Sequence, residues 1–182
     1  MLMECEKLKE FLRKAVEKYG KDENVLHHVG KGIRGRGYLI PQDLLYITCW
    51  KAPRNVGSRG KAANTAFECI RRMGVEGIEN VTKQAIQLAA KGKIEESIKK
   101  FSELHGVRTR VASAILTFYN PEKFGVMDKK AWKTLYNEEK EDFEPEDYTR
   151  YLKDITELAK KCGLTPRQVD QALWHISGTQ RD

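Results

Sequence analysis

The run from Leu104 to Lys133, LHGVRTRVASAILTFYNPEKFGVMDKKAWK, constrains the fold more than any other part of the chain. It predicts the end of one helix, a turn at Gly106-Val107, a second helix, and a loop that delivers Asp128 to the start of a third. Gly106 is suited to end the first helix, because glycine enters the left-handed C-cap conformation without steric cost. Thr109 is the expected N-cap of the second, and Val111, Ala112, Ile115 and Phe118 recur at helical spacing on one face. The small residues Ala112, Ser113 and Ala114 let another helix come close. The segment therefore reads as a helical hairpin with backbone N–H groups and two arginines, Arg108 and Arg110, at its tip.

Leu104-His-Gly-Val-Arg-Thr-Arg-Val-Ala-Ser-Ala-Ile-Leu116, followed by Phe124-Gly-Val-Met-Asp128, resembles the signature of the helix-hairpin-helix DNA glycosylases, the superfamily of endonuclease III and of the adenine and 8-oxoguanine glycosylases. Gly106 and Val107 match the first two hairpin positions, Ala112 to Leu116 the small-residue helix, and Asp128 the aspartate at the mouth of the lesion pocket. The position of the Schiff-base lysine in bifunctional members falls on Arg110, 18 residues before Asp128. Arg108 replaces the second hairpin glycine. Upstream, Pro41-Gln-Asp-Leu-Leu-Tyr-Ile-Thr-Cys-Trp-Lys-Ala-Pro-Arg-Asn55 resembles the family's early helix and the loop after it, which carries the residue that fills the hole left by a flipped base. Arg54 or Asn55 would take that role; the plain alternative is an ordinary helix connection with solvated arginines.

The resemblance implies an all-α, glycosylase-like domain over residues 1–182, as one domain or two small lobes around a cleft. Its hairpin would span about 93–119 and its catalytic loop about 120–129. It implies an enzyme that flips a damaged or mismatched base out of double-stranded DNA and hydrolyses the N-glycosidic bond. That reaction builds positive charge on the deoxyribose as the base departs, and a nearby carboxylate stabilises it and orients water. Asp128 is the expected catalytic residue; it also suits the N-cap of the helix beginning at Lys129, and the two roles are compatible. Arg110 cannot serve as an amine nucleophile, because a guanidinium stays protonated, so a monofunctional enzyme without efficient lyase activity is expected. Gly106, Val107, Arg108, Thr109 and Arg110 would bind the DNA backbone without reading sequence. Trp50 and Trp132 are the candidate base-pocket aromatics, with Tyr38, Tyr46 and Trp174 as further candidates and core packing as the plain alternative for them, and His105 is a candidate phosphate contact. A different reading is a non-catalytic helix-hairpin-helix module that holds DNA, for which Asp128 would be only a cap. An RNA-binding helical protein is a third, resting on charge alone.

A formal charge of +7 and a pI near 9.2 favour an anionic partner. No apolar run is long enough to span a membrane, and the charged N-terminus is unlike a signal peptide, so a cytoplasmic protein is the expectation; the expected partner is double-stranded DNA, bound by a monomer. Cys5, Cys49, Cys69 and Cys162 form no C-x-x-C pair and read as buried free thiols in a reducing compartment; no cofactor, metal site or iron–sulfur cluster is expected from them.

Elsewhere the spacing predicts short helices, eight to ten in all, and strand signals are scarce. The first carries Met3, Leu8, Phe11, Leu12, Ala15, Val16 and Tyr19 inward and ends at Gly20. Lys21 to Gly37 reads as irregular, with Gly30-Lys-Gly-Ile-Arg-Gly-Arg-Gly37 either a solvated loop or a phosphate-contacting one. Helices follow over Gln42–Ala52, Lys61–Met73, Val81–Ala90 and Lys93–His105. The acidic stretch Glu138 to Asp147 is expected to face away from DNA. Pro145 opens a helix that Gly163 ends, and Thr165-Pro166 opens the last.

Overall fold

The computed structural model describes residues 5–52 and 55–179, and within them every regular element is a helix. In chain order these are α1 (Cys5–Arg36), α2 (Pro41–Lys51), α3 (Val56–Ala90), α4 (Ile94–Phe101), α5 (Thr109–Tyr119), α6 (Lys129–Tyr136), α7 (Pro145–Cys162) and α8 (Pro166–Thr179). The all-α expectation holds, but two of the helices are long.

The first is α1, which does not stop at Gly20 and runs through the glycine-rich segment to Arg36. The predicted loop is therefore helix. Leu8, Leu12, Ala15, Leu26, Gly30 and Ile33 are buried at helical spacing on both sides of Gly20, and that burial outweighs the roughly 1 kcal/mol that a glycine costs a helix. Gly30 has a positive reason to be glycine, since a Cβ there would lie 2.1 Å from the carbonyl oxygen of Phe118. At this residue the α1 backbone lies directly against that of α5. One turn on, Arg34 donates to the carbonyl oxygen of Tyr119 at 2.8 Å and so satisfies the C-terminal end of α5. Gly37, with φ +77, then ends α1.

The second long helix is α3, bent at Gly74, whose φ of 65 and ψ of 177 interrupt it. The two predicted helices on either side are its halves. Asn55 caps its start by accepting from the Ser58 amide at 2.7 Å.

At the centre lies α5. The residues from Ala112 to Phe118 are all buried, so the helix is enclosed on every side rather than along a stripe. It packs against α1, α2, α4 and α7. Thr109 is not its N-cap: Arg108 holds that position with extended backbone, and Thr109 is the first helical residue, itself buried. The C-terminal helices start as expected. Asp147 accepts from the Glu144 amide before α7, and Thr165 and Gln168 cap α8 reciprocally through side chains and amides.

Cys5 and Cys162 form a disulfide that joins the first turn of α1 to the last of α7; only Cys49 and Cys69 are free thiols among the described residues. This corrects the expectation of four free thiols. The pair is 157 residues apart, so no local spacing rule could have found it, and the pairing removes the argument from free thiols for a reducing compartment. Among the described residues no helix is long and apolar enough to cross a membrane.

Candidate active-site cleft

A cleft of about 1030 Å³ opens between α1, α2, the start of α3, the hairpin, and the helices α6 and α8. Asp128 lies on its wall at the N-terminus of α6. Its Oδ1 accepts from the Lys130 amide at 3.0 Å, the N-cap bond, and its Oδ2 accepts from Lys51 Nζ at 2.9 Å. Burial acts to raise the carboxyl's pKa. The charge and hydrogen bond of Lys51, the Lys130 amide and the Arg110 charge together outweigh burial and hold it below the ordinary carboxylate range. Asp128 is therefore ionised at neutral pH, half-buried, and open to the cleft.

The loop that carries Asp128 is fixed by three helices. Its backbone at Gly125, Val126 and Met127 is buried, with no room for a Cβ at Gly125, where one would fall 2.5 Å from Ile155 Cδ1. Several polar groups of that backbone have side-chain partners. The Tyr148 hydroxyl donates to the Gly125 carbonyl at 3.1 Å, the Val126 amide donates to Asp170 at 2.6 Å, and the Met127 amide donates to the Ser113 hydroxyl at 3.0 Å. Asp170 also accepts from Arg167 at 2.6 Å, and Arg167 in turn donates to Glu23 of α1 at 2.5 Å. Burial pushes the Asp170 carboxyl up to about 7, against the pull of Arg167 and the Val126 amide. Burial also works against the Arg167 cation, but Asp170 and Glu23 hold it above its ordinary value.

The walls are cationic. Lys51, Arg59, Arg110, Lys129 and Lys130 line the cleft, where Arg167 is already committed to its two carboxylates. Trp50, half-buried, stands edge-on to Phe118 at 5.1 Å between ring centroids, and Trp174 carries Lys130 Nζ 4.7 Å from its own ring centroid. A cleft with a fixed carboxylate, several cations and two aromatic faces suits a planar, apolar-faced group attached to an anionic chain.

Of the residues singled out in the sequence, Asp128, Trp50, Gly106 and Arg110 meet in this cleft. Gly106 is left-handed, with φ +79, and a Cβ there would fall 2.0 Å from Thr65 Cγ2, so the turn requires glycine. Gly106, Val107 and Arg108 line a smaller hollow of about 550 Å³ behind the hairpin, with Arg72 and His105. Thr109 and Val107 are buried, and the Val107 amide already donates to the Leu104 carbonyl at 3.0 Å, so neither side chain is open to a ligand. Asn55 is exposed and caps α3 instead of lining the cleft, and Arg54 lies outside the described residues.

Trp132 is a correction. It is fully buried, packed against Tyr136, Phe143 and Tyr151 at centroid distances of 4.2, 5.3 and 6.5 Å, and it cannot present a face to a base. Helical spacing explains this, because Trp132 lies on the inward face of α6 while Lys129 and Lys130 at its first turn reach the cleft. The acidic stretch is turned back onto α6, where Glu141 pairs with Lys129 and Glu139 with Lys133. Lys51, Arg59, Arg167 and Asp170 had no role assigned from sequence. Lys51 lies inside the 41–55 stretch already singled out, and its position in the last turn of α2 was the available signal.

Among the described residues no group of three or more His, Cys, Asp or Glu side chains stands close enough to hold a metal ion. Comparison of the chain with models of known protein families, with curated proteins and with solved structures finds no match.

Proposed function

We propose that this chain is a DNA glycosylase that takes a damaged or mismatched base into the cleft and hydrolyses its N-glycosidic bond. The observation that carries the reading is the ionised Asp128, held rigidly at the wall of a cationic cleft beside Trp50. A carboxylate there opposes the positive charge that develops on the deoxyribose and can orient the attacking water. Around it, Arg59 and Arg110 attract the phosphate backbone, the hairpin amides at the start of α5 hold one phosphate, and an extruded base stacks beside Trp50 and Trp174, whose rings already face the cations Arg167 and Lys130. Position 110 supplies no amine, so the base-release step uses water. Such an enzyme works as a monomer where the genome lies, which in a prokaryote is the cytoplasm.

The N-cap bond of Asp128 favours one other reading, a non-catalytic module that binds duplex DNA and uses the carboxylate only to start α6. Single-turnover base release decides between them, with parent and Asp128→Asn protein on duplexes carrying uracil, hypoxanthine, 8-oxoguanine, thymine opposite guanine, adenine opposite 8-oxoguanine, or an alkylated purine. Asparagine caps a helix as well as aspartate does. Excision that falls by a factor of roughly 10² or more in the variant, with duplex binding kept, is the expected result. Equal, salt-sensitive binding by both proteins with no excision of any lesion refutes the enzyme.

A further inference from the structure

We propose that Glu139 and Glu141 stand in for two neighbouring DNA phosphates: in the free protein they occupy Lys129 and Lys133 on α6, and a bound strand displaces them. The inference rests on the duplex-binding part of the glycosylase reading. It adds a second backbone track and a built-in control on it, both outside the base-release step.

An acidic stretch is expected to face away from DNA, but Glu138 to Asp147 turns back onto the helix that Asp128 caps. The chain reverses at Asn137, left-handed with φ 53, whose amide donates to the Lys133 carbonyl at 2.8 Å. It then runs back along α6 as a non-helical segment, so that Glu139 meets Lys133 and Glu141 meets Lys129. Successive side chains of such a segment point to opposite sides. Lys140, between the two glutamates, accordingly turns the other way and donates to Asp147 of α7 at 2.7 Å. Phe143, buried against Trp132 at 5.3 Å between ring centroids, pins the far end. Both carboxylates are thus held in place from either side.

The register sets these pairs apart from the other surface ion pairs. Four helical residues separate Lys129 from Lys133, a rise of about 6 Å, and two extended residues separate the carboxylates, about 6.6 Å. Neighbouring phosphates on one strand carry their charges at a comparable spacing. Lys129 also lines the cleft with Asp128, so the two lysines continue its cationic wall onto the outside of α6. Glu139 and Glu141 are 81 and 79 % exposed, and ion pairs so open to water contribute little to stability. A phosphate therefore takes their place with little loss. Until a strand comes close enough to do so, the carboxylates repel it and hold down the affinity for intact duplex.

The test is binding of an undamaged, fluorescently labelled duplex to the full chain, read by anisotropy between roughly 50 and 200 mM salt. The double variant Glu139→Gln/Glu141→Gln should bind roughly tenfold tighter than the parent, as two exposed ion pairs are worth. Glu95→Gln/Glu146→Gln makes the same change of charge at two carboxylates that pair with Lys99, on helices that do not line the cleft, and should gain less than about twofold. Lys129→Gln/Lys133→Gln should weaken binding and abolish the gain from the first double variant, which is the coupling that displacement requires. Unchanged binding by Glu139→Gln/Glu141→Gln, an equal gain in the Glu95 and Glu146 control, or a full gain without the two lysines would each overturn the proposal. Duplex binding that ignores the glutamates leaves the glycosylase reading standing, and base release from a lesion duplex tests that reading separately. Absence of duplex binding by every one of these proteins overturns both.

Discussion

Alanine at Gly30 should destabilise the protein, whereas alanine at Gly35, five residues away in the same helix, should stabilise it. Both positions lie in α1, and in an isolated helix each substitution gains about 0.5–1 kcal/mol, because alanine loses less backbone freedom on folding. The surroundings decide the sign. A Cβ at Gly35 meets nothing within 4 Å, so the intrinsic gain survives. At Gly30 the Cβ would lie 2.1 Å from the Phe118 carbonyl oxygen and 3.2 Å from its carbon, and both are backbone atoms that no rotamer change can move. The two helices would have to separate by roughly an ångström in an interior packed at crystal density, an overpacking cost at the upper end of about 1–3 kcal/mol. That separation also pulls Arg34 from the Tyr119 carbonyl.

The net loss at Gly30 is then about 2 kcal/mol, which for a chain of this size lowers the melting midpoint by about 4–8 °C, against a rise of about 1–4 °C for Gly35→Ala. Thermal unfolding followed by circular dichroism, with urea titration as the second probe, measures both. A Gly30→Ala protein that melts at or above the parent would mean that the α1–α5 contact is absent and that the segment is the flexible glycine loop its composition suggests.

Three further outcomes follow from the same structure. Trp132→Ala should lose about 3–5 kcal/mol of stability in urea unfolding, as expected for emptying a core site, and a loss below about 1 kcal/mol would return Trp132 to the surface. Breaking the Cys5–Cys162 bond by Cys162→Ser, or by reductant in the parent, should cost about 2–5 kcal/mol, with no added effect of reductant on the variant. The third concerns pH. The folded pKa of Asp128 is lowered, so its contribution to stability is complete above the unfolded value near 4 and is lost as pH falls through the folded value. The difference in melting midpoint between parent and Asp128→Asn should therefore shrink as pH falls below about 4, and a difference that stays constant on acidification would show the pair with Lys51 to be absent.

What could be read from sequence follows the range of the interactions involved. The hairpin was legible because its determinants are local: a glycine that must be left-handed at Gly106, and the small-residue run after it. The start of α8 was legible for the same reason, since Thr165, Pro166 and Gln168 carry the cap among themselves. The middle of α1 was not, because its glycines argue locally for a loop and only the burial of Leu26, Gly30 and Ile33 against distant elements argues for a helix. Asp128 could be singled out from sequence as a candidate and Lys51 could not. The first stands in a motif, whereas the second meets its carboxylate partner 77 residues away. The aromatic assignments split likewise: spacing marks Trp50 and Trp132 as helical apolar residues, and only the packing of Phe143 and Tyr151 over Trp132 removes it from the cleft.

The treatment of the residues before Asp128 bears on which of its roles shaped the chain. A helix cap needs only an acceptor side chain and extended backbone at one residue, which any exposed loop can supply. Here the preceding backbone is threaded through the interior. Gly125 has no space for a side chain, and the Val126 and Met127 amides are taken by Asp170 and Ser113 from two different helices. Tyr148 donates to the Gly125 carbonyl, and burial holds that phenol well above its ordinary pKa, so it remains a donor. Asp170 is itself fixed by Arg167, which Glu23 ties back to α1. Burying so many polar groups costs stability unless every one is satisfied, and a surface loop would have avoided the cost. The arrangement makes sense where the carboxylate must sit at a fixed point on the cleft wall, since a reacting group displaced by an ångström loses much of its effect. Rigid support of this kind is what the proposed chemistry would require of its scaffold, and it exceeds what capping α6 needs.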